Sequence, residues 1–353
     1  MAVSAGLTLL LAGCAGLPRE SEYAVGTLTE ALGTQQAAAL TDGRASFRSV
    51  FCALRRGQDA SPPADPDCEQ KLWRLADETR GPVGALPPPP SSQLRFVLVT
   101  GAFDDCYGDE GLPFREAALD LVARGYRIDT VRLSGRSSSA ANGTALAREL
   151  QPMRSAAETR LVLIGYSKGS VDILEALAAH PDLAGSVTAV VSIAGPILGT
   201  PLADDGAPVY DTLFRRALAS RCSPGDGGVL DSLRPAARQT WLAANPLPQG
   251  LRSFSLLALP ANDRVARALK PSWRLLARSS RYNDGQVRAQ DGLFPGSTLL
   301  GFANADHWGV ALRIERVLPH LAARTATEPY PQRELLEAIM LSVGAAMSEG
   351  PRP

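Results

Sequence analysis

The chain is predicted to be an α/β protein, with a mostly parallel sheet flanked by helices, an inserted helical cap and an N-terminal helical extension. Three observations predict this architecture. Short apolar runs closed by glycine alternate with segments of helical spacing, as in strands buried on both faces and joined by helices. A proline run at residues 86–92 separates this region from a different N-terminal one. A long stretch without strand character, residues 199–250, interrupts the alternation.

The N-terminus is predicted to be a signal peptide that ends at residue 14. Its apolar run is too short to span a bilayer and ends in the letters LAGC. This run resembles a bacterial lipobox, in which the cysteine, here Cys14, is acylated and becomes the first mature residue. The resemblance predicts a lipoprotein of the cell envelope, held on its membrane by a lipid anchor and facing the periplasm or the exterior. The alternative is an ordinary secretory signal.

Residues 15–90 form the predicted N-terminal extension and its linker. The segment EQKLWRLADETR places apolar residues at helical spacing, and four consecutive prolines stiffen the linker. We expect this region to pack on the main domain or to space it from the membrane. Its sequence indicates no chemistry of its own.

The main domain is predicted at residues 91–325, followed by a C-terminal helix and tail at residues 326–353. Residues 199–250, between the fourth and fifth strands, are predicted to form the helical cap. Strands are predicted at residues 94–101, 126–133, 159–165, 187–195, 251–259 and 297–302, and helices at 113–124, 140–150 and 170–179.

Composition and charge exclude several classes of function. Lysine plus arginine number 36, as do aspartate plus glutamate, so no long-range field recruits nucleic acid. The chain has no phosphate-binding P-loop, no dinucleotide fingerprint after a strand and no HExxH motif. We therefore predict no nucleic-acid partner and no bound metal.

The cysteines predict disulfides. Apart from Cys14, the four cysteines allow three pairings, and an even number suits an exported chain. The pairing Cys52–Cys68 with Cys106–Cys222 is preferred, because the first pair closes a short loop. Metal binding is not expected, because no CxxC motif or histidine pair accompanies these cysteines.

The most informative motif is Gly165-Tyr166-Ser167-Lys168-Gly169, which fits G-x-S-x-G. A buried strand precedes it and a helix follows it, the setting of a nucleophile elbow that lifts a serine hydroxyl above the sheet. Gly165 and Gly169 suit positions where a Cβ would collide with neighbouring backbone. The alternative is a plain strand-to-helix turn with a capping serine. The side chain of Lys168 is expected to form an exposed helix pair with Asp172.

A serine nucleophile needs a base, and the chain has only three histidines. His180 ends the helix after the elbow, and His320 lies in another helix-like segment. His307 follows the last predicted strand in a loop, where a parallel sheet can place a base above the elbow. We predict His307 as the base, with core or surface roles for the other two.

The base in turn needs an acid to orient it. Asp263, Asp284 and Asp291 lie between the fifth and sixth predicted strands. Asp284 lies in a turn-like Asn-Asp-Gly run and is preferred, and Asp263, nearer its strand, is the reserve. Asp306 adjoins His307 and is interpreted as part of the loop structure. The order serine, acid, histidine is that of hydrolases with this type of sheet.

Acyl transfer also needs donors for an oxyanion. The backbone N–H of Lys168, just after the nucleophile, is one candidate. The second should lie in the loop after the first strand of the main domain, where Ala102 is preferred and Phe103 is the reserve.

From residue 94 to about residue 321 the chain resembles the lipase and esterase group of bacterial α/β-hydrolases. The matching pieces, in order, are VLVTGAF, LIGYSKG, AGPILGTPLAD, YNDGQV and ADHW. The NDGQV piece resembles the catalytic-acid loop of secreted lipases, which favours Asp284 over Asp263. The resemblance implies an α/β-hydrolase fold, ester hydrolysis through an acyl-enzyme, and no organic cofactor. Those lipases usually carry His-Gly where this chain has Thr100-Gly101, and their calcium-binding aspartates have no counterpart here.

The sequence therefore predicts an exported serine hydrolase of carboxylic esters, with a lid over an apolar acyl pocket and a lipid-like or other ester substrate. Two alternatives stay open. The same residues suit a thioesterase, an amidase or a deacylase of envelope lipid, glycan or protein. The second alternative is a non-catalytic, structural or interaction lipoprotein with a hydrolase fold, because a fold alone does not establish an activity. The sequence identifies no protein partner.

Overall fold

The structure, a computed structural model, describes residues 26–56, 66–81, 86–154, 159–204, 222–316, 318–326 and 328–348. Within these residues the molecule is built on one eight-stranded sheet, ordered β1-β8-β7-β6-β5-β3-β4, with β2 paired to β8. All neighbouring strands are parallel except β2, which is antiparallel to β8. The strands are β1 Thr41–Asp42, β2 Leu72–Trp73, β3 Leu94–Val99, β4 Ile128–Val131, β5 Arg160–Tyr166, β6 Val187–Ile193, β7 Arg252–Ala258 and β8 Thr298–Ala303.

Helices connect the strands and cover the sheet, as the alternating pattern of the sequence predicts. The α-helices of the described residues are α1 Leu28–Leu32, α2 Thr34–Ala39, α3 Arg44–Arg56, α4 Pro66–Lys71, α5 Arg115–Ala123, α6 Ser139–Leu150, α7 Lys168–Ala179, α8 Pro235–Ala244, α9 Lys270–Leu276, α10 Pro319–Ala322 and α11 Gln332–Ser348.

The core lies on both faces of the sheet. Phe96 and Leu98 of β3 pack into a cluster with α3, α5 and α11, whereas Val97 and Val99 pack on the opposite face with α6 and α7. Successive side chains of a strand point to opposite faces, so a strand covered on both sides is apolar throughout. This explains why the strands read as continuous apolar runs in the sequence.

The N-terminal region is more closely integrated than the prediction of a helical extension implies. Besides α1 to α4 it contributes β1 and β2, which both pair with the outer edge of β8. The two strands are only two residues long, too short for a periodic signal in the sequence. They cover an edge strand that would otherwise present unpaired backbone groups.

The predicted cap is described only in part. Residues 205–221 lie outside the described residues. The described residues 222–250 of the cap contain α8, in agreement with the predicted helical character of the cap. The C-terminal helix α11 contacts α3 and α5 on one face of the sheet. Of the described residues, no helix has the length and apolar character to cross a membrane. The predicted signal peptide and Cys14 lie outside the described residues.

Both predicted disulfides are present. Cys52 pairs with Cys68, and Cys106 pairs with Cys222, across sequence separations of 16 and 116 residues. The second bridge fastens the segment after β3 to the end of the cap.

Candidate active site

The predicted elbow lies at the carboxyl end of β5, in the middle of the sheet. Ser167 has φ 52° and ψ −129°, a left-handed conformation that non-glycine residues rarely adopt, and α7 begins at the next residue. A Cβ on Gly165 would lie 2.4 Å from the Ser170 nitrogen, and one on Gly169 would lie 2.5 Å from the Val99 oxygen. Both glycines are therefore required by backbone that passes too close for a side chain.

Ser167, His307 and Asp284 form one hydrogen-bonded chain. The Ser167 Oγ lies 2.8 Å from His307 Nε2, and His307 Nδ1 lies 2.7 Å from Asp284 Oδ2. All three side chains are buried, with His307 2% and Ser167 7% exposed. The structure thus brings together the three residues that the sequence predicts as nucleophile, base and acid.

The loops that carry these side chains are tied to one another through the backbone. The His307 N–H donates to the Asp284 carbonyl (2.9 Å), and the Tyr166 hydroxyl donates to the His307 carbonyl (2.7 Å). Asp284 Oδ1 accepts from the amides of Gln286 (2.8 Å) and Val287 (2.7 Å), which leaves Oδ2 to face the imidazole. The geometry of the base is therefore fixed by contacts on both sides of it.

The other candidate acids take no part in this chain. Asp263 lies in a 3₁₀ turn, and its backbone carbonyl accepts from the amides of Thr325 and Ala326.

The other two aspartates form ion pairs with arginines. Asp291 pairs with Arg288 at 2.6 Å. Asp306 is buried, pairs with Arg324 at 2.8 Å and has the predicted structural role in the loop.

The other two histidines lie elsewhere. His180 is the C-cap residue of α7, one helix length away from the elbow. His320 is exposed in the short helix α10. The structure places neither beside Ser167.

Two backbone amides suit the predicted oxyanion hole. Val99 of β3 pairs with Gly165 of β5, so the loop after β3 lies beside the elbow. The amides of Ala102 and Lys168 donate to no residue that the structure describes. The reserve donor Phe103 does not fit, because its N–H donates to the Gly135 carbonyl at 3.1 Å.

The prediction that Lys168 and Asp172 form an exposed pair is wrong. Both side chains are buried, at 0% and 1% exposure, with the ammonium 2.6 Å from the carboxylate. Asp172 also accepts from Asn142 Nδ2 at 2.8 Å. The pair is enclosed because α7 packs along α6, so an i to i+4 spacing does not by itself place charges on the surface. Desolvation lowers the pKa of Lys168 and raises that of Asp172, although each opposes the other's shift.

The space around Ser167 and His307 has two walls of different character. One is mostly apolar, and the other is polar and aromatic. The apolar wall consists of Pro196, Leu202, Ala203, Leu230, Leu233 and Val287, with Thr200. The second wall consists of Phe103, Asp104, Tyr107, Tyr166 and Trp308.

Asp104 is a site residue that the sequence does not indicate. It begins a 3₁₀ helix, Asp104–Gly111, and it is 3% exposed. This helix directly follows residues 100–103, the loop that carries the predicted donor Ala102 and that we call the oxyanion loop. Burial raises the pKa of its carboxyl well above the ordinary value, and the neighbouring charge of Asp105 acts in the same direction. An Asp-Asp-Cys run in a loop carries no signal by which this burial could be predicted.

This arrangement suits acyl transfer. The imidazole can accept the Ser167 proton through Nε2 while Asp284 fixes the tautomer through Nδ1. Free backbone amides next to the serine can stabilise a developing oxyanion, aided by the N-terminus of the twelve-residue α7.

No protein-family model matches the chain, and neither does any curated protein. Among solved structures, it is similar to the metagenomic carboxyl esterase MGS0156, with 36% identity and a TM-score of 0.78, over 88% of this chain and 94% of that one. It also resembles the mature form of the Bacillus licheniformis lipase BlEst2, with 20% identity and a TM-score of 0.50, over 70% of this chain and 96% of that one. The second likeness concerns the fold alone. With its parallel sheet and its similarity to the esterase, the chain belongs to the carboxylesterase and lipase group of the α/β-hydrolase superfamily.

Proposed function

We propose that the protein is a serine hydrolase that cleaves carboxylic esters through an acyl-enzyme. The observation that carries this proposal is the unbroken hydrogen-bonded chain from Asp284 through His307 to Ser167. It lies in a chain that is 36% identical to a carboxyl esterase.

In the first half of the reaction, Ser167 Oγ attacks the ester carbonyl carbon and His307 Nε2 accepts the hydroxyl proton. The carbonyl oxygen becomes an oxyanion, which the amides of Ala102 and Lys168 stabilise by hydrogen bonding. The bond to the alcohol oxygen then breaks, and His307 gives its proton to that oxygen. Asp284 stabilises the imidazolium between the two transfers.

In the second half, water attacks the acyl-enzyme. His307 accepts a proton from the water, a second oxyanion forms at the same place, and the bond to Ser167 Oγ breaks. The proton returns to Ser167, and the carboxylic acid leaves. No organic cofactor is needed for either half.

The apolar wall supports a hydrocarbon acyl chain as the group held next to Ser167. Leu202, Leu230 and Leu233 lie along it, and burying a methylene against such a surface contributes about 0.8 kcal/mol. The alcohol part then lies toward the polar wall, where His307 can protonate it.

Hydrolysis of p-nitrophenyl esters from acetyl to palmitoyl tests the proposal, with protein that begins at Ala15. We expect activity that is lost in Ser167→Ala and kept in Ser253→Ala, because Ser253 lies at the opposite, amino-terminal end of the sheet. The preferred chain length reports the size of the acyl pocket. Turnover of acyl thioesters without turnover of oxygen esters would replace the proposal with thioester hydrolysis.

We also propose that Cys14 is acylated and holds the mature protein on a bacterial membrane. The LAGC run at the end of a short apolar segment supports this. In a bacterial host, the full chain should incorporate a radiolabelled fatty acid and sediment with membranes. Cys14→Ala should do neither, and labelling of that variant would contradict the proposal.

A further inference from the structure

A buried carboxyl group faces the candidate active site without a function in the triad. Asp104 is 3% exposed and lines the same cavity as Ser167 and His307. Buried carboxyl groups are rare unless they are paired, because burial of an unpaired charge or polar oxygen is costly. The burial of the Asp104 carboxyl group therefore needs a physical explanation.

Among the described residues, only one of the two carboxyl oxygens of Asp104 has a hydrogen-bond partner. Asp104 Oδ2 accepts a hydrogen bond from the Gly101 amide. Oδ1 accepts from no residue that the structure describes, and Asp104 lines the cavity beside Ser167. A polar atom in this position, in a side chain that is otherwise buried, is available to a ligand.

The carboxyl group lies close to the reacting serine. A Cβ built on Gly101 would lie 2.9 Å from Ser167 Cβ and 3.2 Å from Asp104 Oδ2, so Gly101 is wedged between the two side chains. A substrate bonded to Ser167 Oγ therefore has only a short distance to reach Asp104.

The segment around Asp104 is held in place by several contacts. The next residue, Asp105, accepts from the amides of Gly135 (3.2 Å) and Ser223 (3.0 Å). Cys106 is bonded to Cys222. The carboxyl is thus presented by a fixed backbone, as specific recognition requires.

Either protonation state of Asp104 can bind a hydroxyl group. Burial and the adjacent Asp105 raise its pKa, which favours a neutral acid whose O–H donates. The ionised form accepts instead. A hydroxyl group both donates and accepts, whereas a hydrocarbon can do neither.

The two walls of the site assign the two halves of an ester. The apolar wall suits the acyl chain, so the leaving alcohol lies along the wall of Asp104, Tyr107 and Trp308. His307 contributes to both walls, as a base that serves the scissile bond between them must.

We propose that Asp104 is a specificity-determining residue that hydrogen-bonds a hydroxyl group of the leaving alcohol, so that the favoured substrates are esters of short polyols such as glycols or glycerol. This inference rests on the proposed ester hydrolysis. It goes further by naming the alcohol class and the residue that selects it.

A matched pair of esters tests it. The leaving alcohols of 2-hydroxyethyl butyrate and propyl butyrate differ only in a hydroxyl in place of a methyl. With the wild-type protein we expect kcat/KM to favour the hydroxyethyl ester by about tenfold, the effect of one satisfied hydrogen bond in a buried site.

Substitutions at Asp104 locate the effect. Asp104→Leu should bring the ratio of the two kcat/KM values close to one, and Asp104→Asn, which can still donate and accept, should keep the preference. General damage to the oxyanion loop lowers both values together and leaves their ratio unchanged. If Asp104→Leu does not fold, Asp104→Ala serves the same comparison.

Three results would overturn the inference. An unchanged ratio in the folded Leu or Ala variant would mean that Asp104 only supports the loop. A preference for propyl 2-hydroxybutyrate over 2-hydroxyethyl butyrate would place the hydroxyl on the acyl side. Equal hydrolysis of both butyrates defeats this inference alone, whereas hydrolysis of neither, with Ser167→Ala identical to wild type, defeats the proposed function.

Discussion

The imidazole of His307 is held at both nitrogens and through its own backbone. Ser167 Oγ and Asp284 Oδ2 bind the ring, while Asp284 and Tyr166 bind the backbone amide and carbonyl. Each of these contacts is made before a substrate arrives. The imidazole is thus preorganised for its proposed role as base, and little geometry remains to be arranged in the proposed reaction.

Replacement of Asp284 tests the role of the acid. In Asp284→Asn the amide oxygen can keep the bonds from Gln286 and Val287, but the NH₂ group faces His307 Nδ1 and imposes the wrong tautomer. We expect kcat on p-nitrophenyl butyrate to fall by about 10⁴-fold. Asp263→Asn is the matched control and should leave kcat unchanged. The reverse pattern would contradict the assignment of the acid.

Asp104 should make stability depend on pH. Its pKa is raised above the ordinary 3.8 in the folded state. The folded state is therefore stabilised by the bound proton at low pH, and this contribution is lost as pH rises through the folded pKa. The loss amounts to about 1.4 kcal/mol for each unit by which the folded pKa exceeds the ordinary value.

The comparison of wild type with Asp104→Asn isolates this effect, because the two proteins differ in no other ionisable group. We expect the free energy of urea unfolding of Asp104→Asn, relative to wild type, to rise between pH 4 and pH 8. A constant difference over that range would show that Asp104 titrates normally.

At the level of single residues, the sequence predicts which three side chains meet at the candidate site. Three histidines leave few choices, and a G-x-S-x-G run between a strand and a helix narrows the nucleophile to Ser167. What it does not predict is burial of charge. Lys168 and Asp104 look like surface residues, because only the packing of α6 and the fold of the oxyanion loop enclose them.

Among the elements, the elbow helix α7 carries a buried ion pair that begins one residue after the nucleophile. Lys168 contributes its amide to the oxyanion hole proposed here, and its ammonium holds Asp172. The pair therefore couples the start of α7 to α6 through Asn142.

Breaking the pair should cost stability. In Lys168→Met the Asp172 carboxyl stays buried without its partner, and we expect the free energy of unfolding to fall by about 3–5 kcal/mol. Arg132→Met is the control, because Arg132 pairs with Asp109 on the surface, at 47% and 59% exposure, where a pair contributes less than about 1 kcal/mol. Both values come from urea unfolding, and equal losses would contradict the account.

The two disulfides join cysteines that lie at very different separations along the sequence. Cys106–Cys222 closes a loop of 116 residues and Cys52–Cys68 one of 16. Replacing Cys106 and Cys222 by alanine should lower the free energy of unfolding by roughly 4–5 kcal/mol, and replacing Cys52 and Cys68 by about 3 kcal/mol. The loss is larger for the longer loop because opening it gives the unfolded chain more conformational entropy. A larger loss for the short loop would contradict this order.

For the whole molecule, the parallel sheet and its flanking helices are predictable from apolar runs and helical periodicity. The two strands that the N-terminal region adds to β8 are not, because a two-residue strand has no period and depends on a partner far away in sequence. In the cap, too, the sequence predicts the local structure better than the long-range contact. The sequence predicts a helical cap, and α8 lies within it. The cysteine count alone leaves three pairings open, and the preferred one, which fastens the end of the cap to the segment after β3, is present.

Labelling with a fluorophosphonate probe, followed by peptide mass analysis, tests whether Ser167 is an activated nucleophile. Such probes react with serine hydroxyls whose proton a base accepts. We predict a single adduct, on the peptide that contains Ser167, in the wild-type protein. Ser167→Ala should carry none, and His307→Ala should react far more slowly. A folded wild-type protein without an adduct, or an adduct that persists in Ser167→Ala, would contradict the assignment of the nucleophile.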